Sequence, residues 1–170
     1  MPRRLLRDRR IVDDDWQYLA ESPGGDAASL IVPFDRWFQD RDHWVARGGR
    51  LGVVLAPAHN VERLAPDLYR FALIAAEFSG PSEGRGYSQA RQLRDHWKFG
   101  GELRATGYVR RDQIFFMARC GFNSFELSDV DIEGAGTAFS TFSAAYQPSN
   151  DVGLGLKLPR RPPPGTPASA

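Results

Sequence analysis

The chain has 170 residues, of which 42% are hydrophobic and 25% charged, and its formal net charge is +1. This length corresponds to about one domain, and the composition is typical of a soluble globular protein with a core of its own. The near-neutral charge argues against nucleic-acid binding, because phosphate contacts require an excess of basic side chains. The sequence also contains no apolar run as long as the ~20 residues of a membrane-spanning helix.

Cysteine and histidine are too scarce for the common metal and cluster sites. Cys120 is the single cysteine, so no internal disulfide can form, and a lone thiol is typical of proteins in a reducing cytoplasm. Structural zinc sites use four Cys or His ligands and iron–sulfur clusters usually use four thiolates. The phosphate-binding loop GxxxxGK[ST] and the dinucleotide-binding pattern GxGxxG are both missing. We therefore expect no metal site and no cofactor.

The N-terminal part, residues 1–29, is predicted to be a hairpin followed by a linker. Leu5-Leu6 and Ile11-Val12 are apolar pairs separated by four charged residues, a pattern typical of two short strands joined by a turn. Residues 20–29 are rich in small and turn-forming residues, which is the composition of a linker.

Residues 30–148 are predicted to form an α/β domain in which strands alternate with helices. Apolar segments predict four strands, at 51–56, 71–76, 102–106 and 124–127, and the short run 30–32 adds a possible fifth. Helices are predicted at 35–45, 61–68, 88–97, 110–120 and 137–146. This alternation implies right-handed crossovers and a parallel sheet. Because four to five strands cannot form a complete eight-stranded barrel, we expect a small open sheet or a partial barrel.

The C-terminal residues, 149–170, are predicted to be a disordered tail. Five prolines fall within the last twelve residues of the chain. Proline-rich polar segments cannot bury enough apolar surface to fold and remain extended.

The loop before the predicted helix 88–97 contains four candidate residues for binding an anion or a partner protein: Arg85, Gly86, Tyr87 and Ser88. In parallel α/β sheets ligands bind beyond the carboxyl ends of the strands, where this loop lies. Glycines let the backbone approach a ligand closely, and a helix N-terminus offers free N–H groups and partial positive charge. The arginine adds a permanently charged donor. The alternative is a glycine turn with a solvated arginine and a serine that caps the helix.

Four more candidates lie near other strand ends. Arg104 falls within a predicted strand, where a charge is costly unless paired, so it contacts a ligand or forms an ion pair with Glu77 or Glu102. Glu77 ends a strand and is a candidate general base if it is buried. Asp112 is either a second catalytic acid or a first-turn acid that stabilises its helix, and Gln113 beside it is a candidate binding residue.

Several segments between residues 52 and 127 recur in one bacterial family, and two of them are fairly specific: Gly84-Arg85-Gly86-Tyr87-Ser88 and Gly101-Glu102-Leu103-Arg104-Ala105. Shorter matches are found around the apolar strand before Glu77, in Asp112-Gln113-Ile114-Phe115-Phe116 and in Arg119-Cys120-Gly121-Phe122. On these segments the chain resembles the bacterial family known as domain of unknown function 934.

The resemblance implies a role in assimilatory sulfite reduction. Members are similar to proteins encoded beside the sulfite reductase haemoprotein, and they are often labelled as oxidoreductases. Reduction of sulfite to sulfide requires six electrons, yet the sequence has no cluster ligands and no dinucleotide motif. We therefore expect a cytoplasmic accessory protein of sulfate assimilation and cysteine biosynthesis that partners the haemoprotein. Its docking or anion-binding surface would combine the loop 84–88, Arg104 and the acids near Asp112.

Two alternatives stay open at this point. The first is a small oxidoreductase or other enzyme that acts on an anionic sulfur or phosphate compound, with Arg85 and Arg104 holding the anion and Glu77 acting as the base. The second is a flavin or nicotinamide protein with an unusual motif. We expect neither a nucleic acid nor a membrane as a partner.

Overall fold

A computed structural model describes residues 3–135, which form an open, curled half-barrel sheet of eight strands with helices packed on one face. The sheet has the strand order β2-β1-β8-β7-β6-β5-β4-β3. The strands are β1 (Arg4–Arg7), β2 (Arg10–Asp13), β3 (Gln17–Tyr18), β4 (Ser29–Pro33), β5 (Arg50–Leu55), β6 (Phe71–Phe78), β7 (Glu102–Gly107) and β8 (Ser124–Phe125).

The prediction of a parallel sheet is confirmed for β3 to β8, but the predicted number of four to five strands is too small. Each of these six strands is parallel to its neighbour. The N-terminal hairpin also forms, and it extends the sheet because β1 pairs antiparallel with both β2 and β8. Its two-residue turn, Asp8-Arg9, has positive φ at both positions, as in the turns that match the twist of a hairpin. The sheet is therefore mixed.

The helical segments are shorter and more varied than the sequence indicates. The predicted helix 35–45 is divided at Asp40, and the predicted helix 88–97 begins three residues earlier and ends in a π-helical turn. The predicted helix 137–146 and the predicted tail lie outside the described residues. The α-helices are α1 (Phe34–Gln39), α2 (Arg41–Ala46), α3 (Arg85–Arg91), α4 (Ile114–Cys120) and α5 (Asp129–Ala135); the 3-10 segments are Val61–Arg70 and Arg111–Gln113, and the π turn is Gln92–His96.

The two faces of the sheet have different chemistry because side chains alternate along each strand. The face covered by helices carries the main apolar core, which includes Val53, Ile74 and Leu103. We call the opposite face the inner face. It carries a smaller apolar cluster, in which Trp16 packs on Ile31, Leu73 and Ala75, and it continues into charged side chains on β7.

The curl of the sheet brings its two ends together across the inner face. Tyr18 lies on β3 at one end of the parallel part, and Glu126 directly follows β8 at the other. The Tyr18 hydroxyl nevertheless donates a hydrogen bond of 2.6 Å to Glu126 Oε1. Within residues 3–135, no helix combines the length and the apolar character that a bilayer crossing requires.

Asp67 ties the 3-10 segment Val61–Arg70 to α1 and α2. Its carboxylate is 3% exposed, and it accepts hydrogen bonds from the Trp37 indole at 3.3 Å and from Arg41 Nε at 2.9 Å. The hydrogen bonds from Arg41 hold the pKa of Asp67 below its usual value, against the opposing effect of burial. An ionised Asp67 is therefore part of the folded state.

We expect Asp67→Asn to lower the free energy of unfolding at pH 7 by about 1 kcal/mol, since it weakens charge-assisted hydrogen bonds. Because the pKa of Asp67 is lower in the folded state, its ionisation stabilises the fold at pH values above about 4, the pKa of an aspartate in the unfolded chain. This stabilisation is lost as the pH falls through the folded-state pKa. Urea unfolding at pH 7 and near pH 3 should show the difference from wild type shrinking in acid. Asp42→Asn, at a fully exposed carboxylate, is the control. An undiminished difference in acid would contradict this account.

Candidate functional site

The residues that the sequence singled out fall into two groups on opposite faces of the sheet. Glu77 and Arg104 point to the inner face, because their neighbours Phe78 and Leu103 belong to the core under the helices. The other six residues lie at the beginnings of two helical segments on the helix face, and they are Arg85, Gly86, Tyr87, Ser88, Asp112 and Gln113. Within residues 3–135, the two groups therefore lie on different sides of the sheet.

The start of α3 is fixed by packing and by one acidic side chain. Glu83 Oε1 accepts a hydrogen bond of 2.9 Å from the backbone N–H of Arg85. The N-cap residue is Gly84, and Ser88 lies exposed inside the helix. Gly86 is buried, and a Cβ atom there would lie 2.6 Å from the Phe78 ring. Glycine at this position therefore lets α3 pack closely on β6.

Tyr87 connects α3 to the residues that precede α4. Its ring packs edge-on against Phe78 with 5.2 Å between the centroids. Burial raises the pKa of Tyr87, and the nearby Cys120 and Asp112 raise it further. Asp112 lies 3.6 Å from Arg110 Nε, and Gln113 Oε1 accepts a hydrogen bond of 3.2 Å from the backbone N–H of Arg110.

We call the exposed side chains of these two segments the α3–α4 surface. Arg85 and Ser88 are three residues apart on α3 and share one face of that helix. Asp112 lies in the 3-10 turn that leads into α4, and Phe116 lies on α4. Phe116 is 55% exposed and is the only exposed phenylalanine among residues 3–135. The α3–α4 surface consists of Arg85, Ser88, Asp112 and Phe116.

Arg104 is the centre of a buried charge network on the inner face. The residue is fully buried, and its guanidinium forms two hydrogen bonds of 2.9 Å with Asp14. Two further hydrogen bonds, of 3.1 and 2.9 Å, reach Glu102 Oε1, and one of 3.1 Å reaches Glu126 Oε1. All five N–H groups of the guanidinium therefore have carboxylate acceptors.

The network keeps Arg104 charged and closes it to other ligands. Burial disfavours the cation, but Asp14, Glu102 and Glu126 outweigh this effect and raise the pKa of Arg104. The predicted ion pair with Glu102 is present, whereas no hydrogen bond joins Arg104 to Glu77. In this arrangement no donor of Arg104 is available for a small anion.

Glu126 extends the network towards the carboxyl ends of the strands. It accepts hydrogen bonds from the Tyr18 hydroxyl at 2.6 Å and from Thr106 Oγ1 at 2.7 Å, and Arg3 Nη1 lies 3.6 Å from its Oε1. Burial and the adjacent Glu126 carboxylate raise the pKa of Tyr18. Tyr18 is therefore protonated at neutral pH and acts as a hydrogen-bond donor.

Glu77 lies beside this network without joining it. It pairs in register with Thr106 on β7, so both side chains point to the inner face. Glu77 is exposed, and among residues 3–135 its carboxylate has no hydrogen-bond or ion-pair partner. The burial on which a general-base role depends is missing in this structure.

Asp14 and Tyr18, which belong to the inner-face network, were not among the residues that the sequence singled out. A signal for Asp14 exists in the run Asp13-Asp14-Asp15 directly before Trp16. An arginine inside a strand requires carboxylate partners, and an acidic run beside an aromatic residue is a reasonable source of them. The pairing of Tyr18 with Glu126 depends on the curl of the sheet and leaves no local signal. Within the described part of the chain, no three Asp, Glu, His or Cys side chains converge to hold a metal ion.

Comparison with protein-family models gives one match, over residues 52–154, to a family described as "Bacterial protein of unknown function (DUF934)". The matched region begins within β5 and includes β6, β7, β8 and the whole α3–α4 surface. It also contains Glu102, Arg104 and Glu126, whereas Asp14 and Tyr18 precede it. A search of curated proteins gave no match.

Proposed function

The chain belongs to the bacterial family DUF934, whose function is unknown, and we propose that it is a cytoplasmic accessory protein of assimilatory sulfite reduction that docks on the sulfite reductase haemoprotein. The sequence resemblance supplies the partner in this proposal. The observation that carries the docking role is the exposure of the Phe116 ring, which is 55% exposed, on the α3–α4 surface, whose other members are polar or charged.

The composition of the α3–α4 surface suits a protein partner. Protein interfaces are enriched in aromatic residues and arginine at their centres and are rimmed by polar groups. Phe116 supplies the aromatic anchor, while Arg85 and Asp112 supply charges of both signs for orientation. Gly86 holds α3 close to β6, and Tyr87 packs behind the surface against Phe78. The surface is therefore supported from below by the core.

The inner face supports an accessory role more than an enzymatic one. Arg104 was one of the two arginines expected to hold an anionic substrate, and its donors are all directed at carboxylates. A second anion placed there would meet three carboxylates and would be repelled. With Arg104 closed to anions, the candidate residues that remain for recognition are those of the α3–α4 surface, and they are exposed to solvent.

The proposal is tested by sulfur nutrition in the native host. We expect deletion of the gene to impair growth on sulfite or sulfate as the sole sulfur source but to leave growth on sulfide unchanged, because sulfide bypasses the reductase. Complementation with Phe116→Asp or Arg85→Glu should fail, because each introduces repulsion at the docking surface. Arg36→Glu, at an exposed arginine on α1, is the matched control and should complement. Normal growth of the deletion strain on sulfite would overturn the proposal.

A second candidate, an oxidoreductase or other enzyme acting on an anionic sulfur or phosphate compound, is favoured by one observation. The Arg85 guanidinium is exposed and has no carboxylate partner among residues 3–135, so it is available to an anion. This candidate requires that sulfite, sulfate or a phosphorylated nucleotide at millimolar concentration raise the melting temperature, and that Arg85→Gln abolish the shift. If none of these anions raises the melting temperature, this candidate is excluded.

A further inference from the structure

A second candidate site lies at the opposite pole of the molecule, at the amino ends of β6 and β7. A groove of about 460 Å³ opens there, within the size range of small-molecule sites. Phe71 begins β6 and Gly101 precedes β7, so the groove is far along the strands from the α3–α4 surface. Aromatic side chains form much of its wall, and Lys98 is the cationic residue in its lining. The lining includes Tyr69, Phe71, Trp97, Lys98, Phe99 and Gly100.

The aromatic wall is partly open to solvent. Tyr69 is 76% exposed, and Trp97 is only partly buried, unlike the three other tryptophans of the chain, which are at most 4% exposed. The Arg70 guanidinium lies 4.7 Å from the centroid of the Tyr69 ring and supports it as a cation–π partner. Exposed aromatic rings at a concave surface are suited to packing against a flat ring of a ligand.

Lys98 occupies a backbone conformation that lysine rarely adopts. Its φ is +54°, in the left-handed region where glycine is the favoured residue, directly after the π turn. Lys98 is also one of only two lysines beside 20 arginines in the chain. Glycine or asparagine usually occupies this position just past a helix end, and here it is Lys98. Its ammonium has no ion-pair partner among the described residues.

The loop that presents Lys98 is held rigidly from below. Arg94 Nη1 donates hydrogen bonds to the carbonyls of Phe99 at 2.6 Å and Gly101 at 2.9 Å. The backbone N–H of Phe99 donates to the Leu93 carbonyl at 2.8 Å. A Cβ atom on Gly100 would meet nothing within 4 Å, so the backbone there is open for contact. A loop fixed in this way binds a ligand with little loss of conformational entropy.

We propose that this groove binds a small ligand in which a flat aromatic ring carries an anionic group, with the ring on the aromatic wall and the anion at the Lys98 ammonium. The anionic group could be a phosphate, as in a nucleotide, or a carboxylate. The charge of Lys98 and the aromatic lining select this class against neutral or cationic ligands. The proposal does not depend on docking at the α3–α4 surface.

Tryptophan fluorescence tests the proposal directly, because Trp97 is the tryptophan that a ligand in the groove would touch. We expect AMP or nicotinate to change the emission in a saturable manner with a dissociation constant in the millimolar range or below. Their uncharged counterparts, adenosine and nicotinamide, should bind about tenfold more weakly, since they lack the charge-assisted contact. Inorganic phosphate should not change the emission. AMP carries a phosphate and nicotinate a carboxylate, so the probe that binds more tightly indicates which anionic group the groove prefers.

Substitutions of Lys98 separate binding from folding. Lys98→Gly should weaken binding about tenfold, while the melting temperature stays at or above that of wild type because glycine adopts a positive φ without strain. Lys98→Arg should retain binding, and Trp97→Phe should remove the fluorescence change. The proposal is overturned if neither charged probe gives a saturable change, if the uncharged probes bind equally well, or if Lys98→Gly binds like wild type.

Discussion

Replacement of Arg104 by methionine should lower the free energy of unfolding by about 3–5 kcal/mol, the largest effect that we expect from any single substitution. The guanidinium is fully buried and is the shared partner of Asp14, Glu102 and Glu126. Without it, three carboxylates converge on an apolar side chain and repel one another in a region that solvent reaches poorly. Breaking a buried ion pair costs more than the pair itself contributes, because the remaining charges lose their compensation.

Urea unfolding followed by circular dichroism measures this effect. Arg36→Met is the matched control, because Arg36 makes a half-exposed ion pair with Asp40 at 3.5 Å, and it should change stability by no more than about 0.5 kcal/mol. If Arg104→Met does not fold, Arg104→Lys retains the charge but loses the fork of donors and should be destabilised by an intermediate amount. An Arg104→Met variant as stable as the Arg36→Met control would show that the network is not a structural centre.

Arg94→Met should lower the free energy of unfolding by about 2–4 kcal/mol, because it leaves three partly buried backbone carbonyls without this donor. Arg94 donates to the carbonyls of Gly121, Phe99 and Gly101 at distances between 2.6 and 2.9 Å. These three carbonyls belong to the loops that precede β7 and β8. Burial lowers the pKa of Arg94, and the opposing attraction of the Asp8 carboxylate is too small to offset this effect. Its role is to satisfy backbone acceptors.

The comparison for Arg94 is Arg91→Met, one turn earlier, where the side chain is exposed and lies 3.7 Å from Asp95. Thermal and urea unfolding of both variants should show a large loss of stability for Arg94→Met and almost none for Arg91→Met. Equal stabilities would contradict the assignment of Arg94 as the residue that holds these loops.

The central strands were predictable because their signal is local. The apolar segments at 51–56, 71–76 and 102–106 form β5, β6 and β7 and lie parallel, as their alternation with helices indicates. Ile11 and Val12 likewise marked the second strand of the N-terminal hairpin. In each of these cases a few consecutive side chains determine the element.

The full size of the sheet was not predictable because it depends on pairings between distant residues. Nothing around Leu6 indicates that it pairs with Phe125, and β3 consists of two residues with no strand pattern of their own. The charge network on the inner face likewise depends on distant residues, since Asp14 and Arg104 are 90 residues apart in the chain. Local periodicity does not contain such information.

The candidate site was predictable only in part. The sequence placed the loop 84–88 and Asp112 directly before helices, and in the structure they lie at the beginnings of helical segments. It did not reveal that Glu77 and Arg104 point to the other face, which depends on whether each residue falls on an odd or even position of its strand. Capping was one of the two alternatives for Ser88, but α3 begins at Arg85 and Ser88 lies inside it.

Co-purification from the native host tests the central claim most directly. The full chain, tagged and expressed at its natural level, should retain the sulfite reductase haemoprotein, detected by its haem absorbance and by mass spectrometry of the eluate. The same experiment with Phe116→Asp should lose the haemoprotein, whereas Arg36→Glu should retain it. Absence of the haemoprotein from the wild-type eluate, in cells that are growing on sulfite and contain the reductase, would contradict the account.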